Sequence, residues 1–99
     1  MAGKTVRAIG IPWYREQDWD AIKSVMVDSD KLHGRYEDWL EAAENLENGI
    51  RQRGQIVERA YIDPTEFAGW CALRGLNVNA DARGKFASEL AFKKHGYSN

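Results

Sequence analysis

The chain has 99 residues, with 14 Lys and Arg against 15 Asp and Glu, a formal net charge of −1 and a single cysteine. That length fits one domain, and near-neutrality removes the general electrostatic reason to expect a nucleic acid, an anionic membrane or a strongly charged substrate. Cys71 has no intrachain disulfide partner, which points to a reducing, cytoplasmic setting.

Residues 5–11 (Thr-Val-Arg-Ala-Ile-Gly-Ile) read as a short strand ended by Pro12. With Gly10 and Pro12 breaking it, this apolar stretch is too short for a signal peptide or a membrane span. A helix is expected from Arg15 to Val27, burying Trp19, Ile22 and Met26, with Glu16 and Asp18 at its positive end. Asp28 to Gly34 reads as a polar loop. The strongest helical pattern follows, from Arg35 to Arg53, with Tyr36, Trp39, Leu40, Ala43, Leu46 and Ile50 on one face. Its acids, Glu37 through Glu47, come early and its arginines late, as the helix dipole favours; Gly54 ends it.

A second strand is expected over Gln55–Ile62, followed at once by Asp63-Pro64-Thr65-Glu66. This is the clearest boundary in the chain. Asp63 caps, Pro64 occupies the first helical position where a missing N–H costs nothing, and Glu66 stands at the capping-box position. The helix runs to Arg74, burying Phe67, Trp70 and either Cys71 or Leu73, and Gly75 closes it. Asn79 caps a last helix over Ala80–Lys94, which buries Phe86, Ala87, Leu90 and either Phe92 or Ala91 before Gly96. Tyr97 to Asn99 is expected to fray.

The expected fold class is therefore α+β, with two short strands and four helices in β-α-α-β-α-α order. An offset of 51 sets Val6, Ile11, Trp19 and Ile22 against Val57, Ile62, Trp70 and Leu73, the pattern of an internal βαα pseudo-repeat that chance periodicity also produces. Strand direction stays open. Base rate and two-fold packing of similar units favour antiparallel, while the long helical connection permits parallel.

Chemistry is sparse. His33, Cys71 and His95 have no zinc spacing, so no metal is expected. Asp28-Ser29-Asp30 opens like a calcium loop, but Leu32 and His33 replace an oxygen ligand and the required glycine. No nucleophile elbow or phosphate loop is present, so no cofactor or catalytic set is expected. Trp13, Tyr14 and Arg15 after the first strand either cap the core or form a shallow aromatic ligand site, which Asp63 and Thr65 join only if the strands are parallel. Arg83, Lys85, Lys93 and Lys94 make the last helix locally basic, an alternative nucleic-acid surface.

The stretches Ile11-Pro12-Trp13-Tyr14, Tyr36-Glu37-Asp38-Trp39-Leu40, Ile62-Asp63-Pro64 with Phe67 and Trp70-Cys71, and Ala82-Arg83 with Phe86-Ala87 resemble a family of small bacterial single-domain proteins with no assigned activity. The resemblance spans nearly the whole chain and implies a bacterial cytoplasmic protein, without implying a mechanism. Arg35 stands where that family tends to carry a threonine-type cap. The expected function is that of a small cytoplasmic binding or accessory protein with a protein or small-molecule partner. Nucleic-acid binding, or a small enzyme built on carboxylates, stands as the alternative.

Overall fold

A computed structural model describes residues 8–32 and 34–96. Strand β1 (Ala8–Trp13) leads through a 3-10 turn (Glu16–Asp18) into α1 (Trp19–Val25). A second 3-10 turn (Ser29–Lys31) precedes α2 (Tyr36–Gln52); β2 (Ile56–Tyr61), α3 (Pro64–Arg74) and α4 (Ala80–His95) complete the order. This is the expected β-α-α-β-α-α arrangement. His33, Thr5 to Arg7 of the expected first strand, and Tyr97 to Asn99 lie outside the described residues.

The two strands pair in parallel, with Ala8 beside Ile56 and Trp13 beside Tyr61. The base-rate preference for antiparallel pairing gives way because the connection contains α2, long enough to return the chain to its starting end. Pro12 does not end β1 but sits inside it, beside Ala60. The Ile62 N–H donates to the Trp13 carbonyl at 2.9 Å, so the backbone groups of Trp13, and by alternation of Ile11 and Ile9, turn toward β2. Pro12 therefore faces the free edge, where its missing N–H breaks no ladder bond.

Alternation also sorts the two sheet faces. Glu58 reaches Lys94 and His95 of α4, and a Cβ placed on Gly10 would run into the Ala87 backbone of α4. Arg59 reaches Glu47 of α2, and the Trp13 ring meets Trp39 of α2 at 5.3 Å. Thus α4 covers one face and α2 the other. On the α4 side the seam is made of small residues: Ala8, Gly10 and Ala60 of the sheet meet Ala87 and Ala91, and all four alanines are fully buried. On the α2 side it is aromatic.

Helix ends follow their caps where caps exist. Asp63 Oδ1 accepts from the Glu66 N–H at 2.9 Å and Asn79 Oδ1 from the Ala82 N–H at 3.1 Å. Gly75 ends α3 in the left-handed region at φ 66°, with the Leu76 N–H donating back to the Cys71 carbonyl. Arg35 supplies no side-chain cap to α2, so that helix starts on its acids, Glu37 and Asp38, alone. The expected 15–27 helix is shorter, because Trp13 and Tyr14 hold the preceding segment against the core and Met26 is already extended.

Core placement differs from expectation at a few positions. Trp19, Ile22, Met26, Trp39, Ala43, Ile50 and Phe67 are buried, and of the alternatives Cys71 and Leu73 it is Cys71 that is buried while Leu73 is 87 % exposed; Leu46, expected inside, is half exposed. In α4 the alanines Ala87 and Ala91 take the interior, Phe86 and Leu90 are partly buried, and Phe92 points outward. A close helix-on-sheet approach selects small residues over large ones at the contact. The reverse holds for Glu47, one of the acids expected early in α2 and found 2 % exposed.

The offset of 51 gains no support from the sheet register, which sets Ile11 beside Arg59. No helix among the described residues is long and apolar enough to cross a membrane.

Candidate functional site

Five rings gather where β1 ends. Tyr14 lies 4.7 Å from Trp39 and 5.8 Å from Trp19, centroid to centroid, and Tyr36 closes the group at 5.4 Å from Trp39. Their tilted and edge-on geometries are the favoured ones for aromatic pairs. The Tyr36 hydroxyl donates to the Tyr14 carbonyl at 3.0 Å, pinning the turn after β1. Trp13 is sandwiched differently: the part-exposed Arg59 guanidinium lies 3.9 Å above its ring. Both Trp13 and Tyr14 are 3 % exposed, so neither ring forms a shallow surface site.

Two buried ion pairs frame this region, and neither was apparent in the sequence. Glu47 of α2 accepts from Arg59 Nε and Nη2 at 2.7 and 2.8 Å and from Arg51 at 3.2 Å. The Arg59 hydrogen bond holds the Glu47 carboxyl below its ordinary value in spite of burial, and the same pairing raises Arg59. Its position was readable: Glu47 is four residues from Ala43 and three from Ile50, on the apolar stripe itself. The second pair is Arg83 of α4 with Asp28. Arg83 Nη1 donates to Asp28 Oδ1 at 3.0 Å and to the Met26 sulfur at 3.3 Å, while Asp28 Oδ2 accepts from the Ala80 N–H at 2.9 Å. Burial pushes the Asp28 carboxyl up, but the Arg83 and Ala80 bonds outweigh it and the net shift is downward. Asp28 thus caps α4 from another part of the chain, and nothing local in the sequence announces that.

Between these features lies a cleft of about 440 Å³ along the free edge of β1. Trp39, Ala42, Ala43 and Leu46 of α2 form one wall, Ala80, Arg83 and Gly84 at the start of α4 the other, and Ile11, Pro12, Tyr14 and Leu32 the floor and end. The volume falls in the range of small-molecule sites, and a mostly apolar lining with a few polar groups is their usual character. Among the described residues, Tyr14 and Arg83 are its only titratable lining residues. Burial first, with Asp28 adding to it and Arg83 opposing, pushes the Tyr14 hydroxyl up to about 12. It is therefore a neutral phenol, able to donate a hydrogen bond at any physiological pH. Among the described residues this hydroxyl makes no hydrogen bond, and since none of their buried side-chain polar atoms lacks a partner it is not a sealed, unsatisfied donor. Arg83 is 6 % exposed and its charge is matched by Asp28, so the cleft carries no net charge from this pair.

The remaining residues singled out in the sequence lie elsewhere. Parallel pairing does put both strand ends on one edge, and Arg15 spans them, its guanidinium 4.4 Å above the Tyr61 ring. Asp63, however, spends its carboxylate on the α3 cap, and Thr65 is exposed in the first turn of that helix. Of the five expected ligand-site residues, Tyr14 alone reaches the cleft. On α4, Lys85 pairs with Asp81 at 3.2 Å, Lys93 with Glu89 at 3.4 Å and Lys94 with Glu58 at 3.1 Å. Arg83 is not on that basic face at all, because its guanidinium is turned inward to Asp28.

Among the described residues no group of three or more His, Cys, Asp or Glu converges as a metal site would require. Cys71 is fully buried in α3, and burial raises its thiol, which suits a packing role. No family model, no curated protein and no solved structure matches this chain.

Proposed function

We propose that the protein binds a small, uncharged, largely apolar molecule in the cleft beside β1, and does so in the bacterial cytoplasm. The observation that carries this reading is the Tyr14 hydroxyl: a neutral donor on a 97 % buried ring, lining an apolar cleft and left without a protein partner among the described residues. A ligand presenting one acceptor oxygen to Tyr14, with an aromatic or aliphatic body between Trp39, Ala43 and Gly84, satisfies the site. Charge argues against an ionic ligand, since Arg83 is already neutralised by Asp28. The lining supports binding rather than turnover: among the described residues neither a nucleophile beside a base nor a pair of carboxylates faces the cleft.

A set of aryl ketones and N-aryl amides screened by amide chemical shifts tests this. Binding should move the Ala43, Leu46 and Gly84 signals together. Tyr14→Phe should weaken the best binder about tenfold, the worth of one buried hydrogen bond. Ala42→Trp, at an exposed position on the α2 wall, should abolish binding without unfolding the chain. Binding that is equal in wild type and Ala42→Trp refutes the assignment, as does a set in which nothing binds.

A further inference from the structure

Among the described residues the outer edge of β2 has no strand partner. Because Ile62 turns its N–H to β1, alternation turns the N–H and C=O groups of Val57, Arg59 and Tyr61 away from it. Among the described residues the sheet has two strands, and the elements that pack on β2 besides β1 are α2 and α4, which cover its faces. Proteins normally protect such an edge with proline, an outward charge or a bulge. The β1 edge has Pro12. The β2 edge has none of these, because its two charged side chains are committed within the fold: Glu58 to Lys94 and His95, Arg59 to Glu47. The strand ends carry Ile56 and Tyr61, each about two-fifths exposed (39 % and 40 %).

We propose that β2 pairs antiparallel with β2 of a second copy of this chain, about a two-fold axis at Arg59, giving a continuous four-stranded sheet. Self-pairing is the arrangement this strand fits. An axis at Arg59 lets all three outward residues bond, Val57 opposite Tyr61 of the second copy at each end and Arg59 opposite itself. Val57 against Tyr61 is a β-branched and aromatic cross-strand pair, a favourable combination. An axis one residue earlier sets Glu58 against Glu58, like charges on the close, non-hydrogen-bonded positions. The Arg59–Arg59 juxtaposition is relieved by the geometry already described. Each guanidinium leans back over Trp13 on β1, away from the axis, and is held bidentately by the Glu47 carboxylate, which it shares with Arg51. A two-stranded sheet also gains most from added strands. This pairing uses the opposite edge of the sheet from the cleft and is independent of what the cleft binds.

Sedimentation and light scattering of the full chain across a concentration series test it. Twice the 11.3 kDa chain mass is expected at the upper end. In a mixture of labelled and unlabelled chains, isotope-filtered NOEs should connect the Tyr61 ring of one copy to the Val57 methyls of the other. Tyr61→Pro removes an outward N–H without touching the β1 ladder, and Ile56→Lys adds an edge charge at an exposed side chain; each should return the mass to that of one chain. A single-chain mass at every concentration overturns the proposal, and so does a dimer that survives both substitutions and gives no such NOEs.

Discussion

Substituting Gly10 by alanine tests the closeness of α4 to the sheet. A Cβ at this position would lie 2.1 Å from the Ala87 carbonyl oxygen and 2.5 Å from its carbonyl carbon. Real Cβ atoms essentially never come within 3.0 Å of a heavy atom, and the obstacle here is helix backbone, not a side-chain tip that can rotate away. The helix must retreat by about 1 Å, and a close-packed interior has no slack to absorb that. Retreat loosens the contacts of Ala87 and Ala91, both now fully buried. Overpacking of this kind costs about 1–3 kcal/mol when side chains can adjust; with backbone on the far side the upper end applies, about 3 kcal/mol. For a domain of this size that corresponds to a fall in melting temperature on the order of 12–24 °C. Denaturant unfolding followed by circular dichroism measures it. Gly49→Ala is the control: it lies in the last turn of α2 with nothing within 4 Å of the added carbon, and should stabilise by up to about 0.5–1 kcal/mol. A Gly10→Ala variant within about 0.5 kcal/mol of wild type, the usual scatter of surface changes, would show that the seam is not closed as described.

Four further outcomes are expected. Arg59→Ala leaves the buried Glu47 carboxylate with Arg51 alone and uncovers Trp13, and should cost about 3 kcal/mol in chemical denaturation. Glu47, Asp28 and Glu58 all titrate below their ordinary values when folded, so their stabilisation is complete above the unfolded pKa. It is lost as pH falls through the lower folded values. Wild-type melting temperature should drop below about pH 4.5, and Arg59→Ala, lacking the strongest of these pairings, should show a shallower drop. Asp63→Ala should cost about 1 kcal/mol through loss of the α3 cap. Phe67→Ala, which empties a fully buried site, should cost about 3–5 kcal/mol, more than Trp70→Ala at its half-buried neighbour.

Legibility in the sequence followed the range of the interactions. Asp63-Pro64, Asn79 and the terminal glycines announce helix boundaries because capping is settled within four residues. The apolar stripes gave the buried faces of α1, α2 and α3 for the same reason. Strand direction was hidden, since nothing local distinguishes a parallel from an antiparallel partner. Leu46 is misplaced, and the choice between Cys71 and Leu73 stays open, because periodicity marks a face without saying how wide its cover is. The cleft was hidden most deeply. Its floor comes from β1 and its walls from α2 and α4, and the Asp28–Arg83 bond that fixes one wall joins residues 55 apart. Tyr14 stood out in the sequence as a costly ring to expose, and it does reach the cleft, but as a buried donor and not as part of an open aromatic surface.

The placement of α4 has a consequence for how the chain could be divided. β1 is roofed on one side by α2, its near neighbour in sequence, and on the other by the helix farthest from it. Neither half of the β-α-α-β-α-α chain therefore contains a complete interior, even though each has a strand and two helices. Cut in the turn at residues 53–55, the two fragments should each remain unfolded alone and regain structure only on being mixed, a complementation that makes the halves mutual templates and not modules.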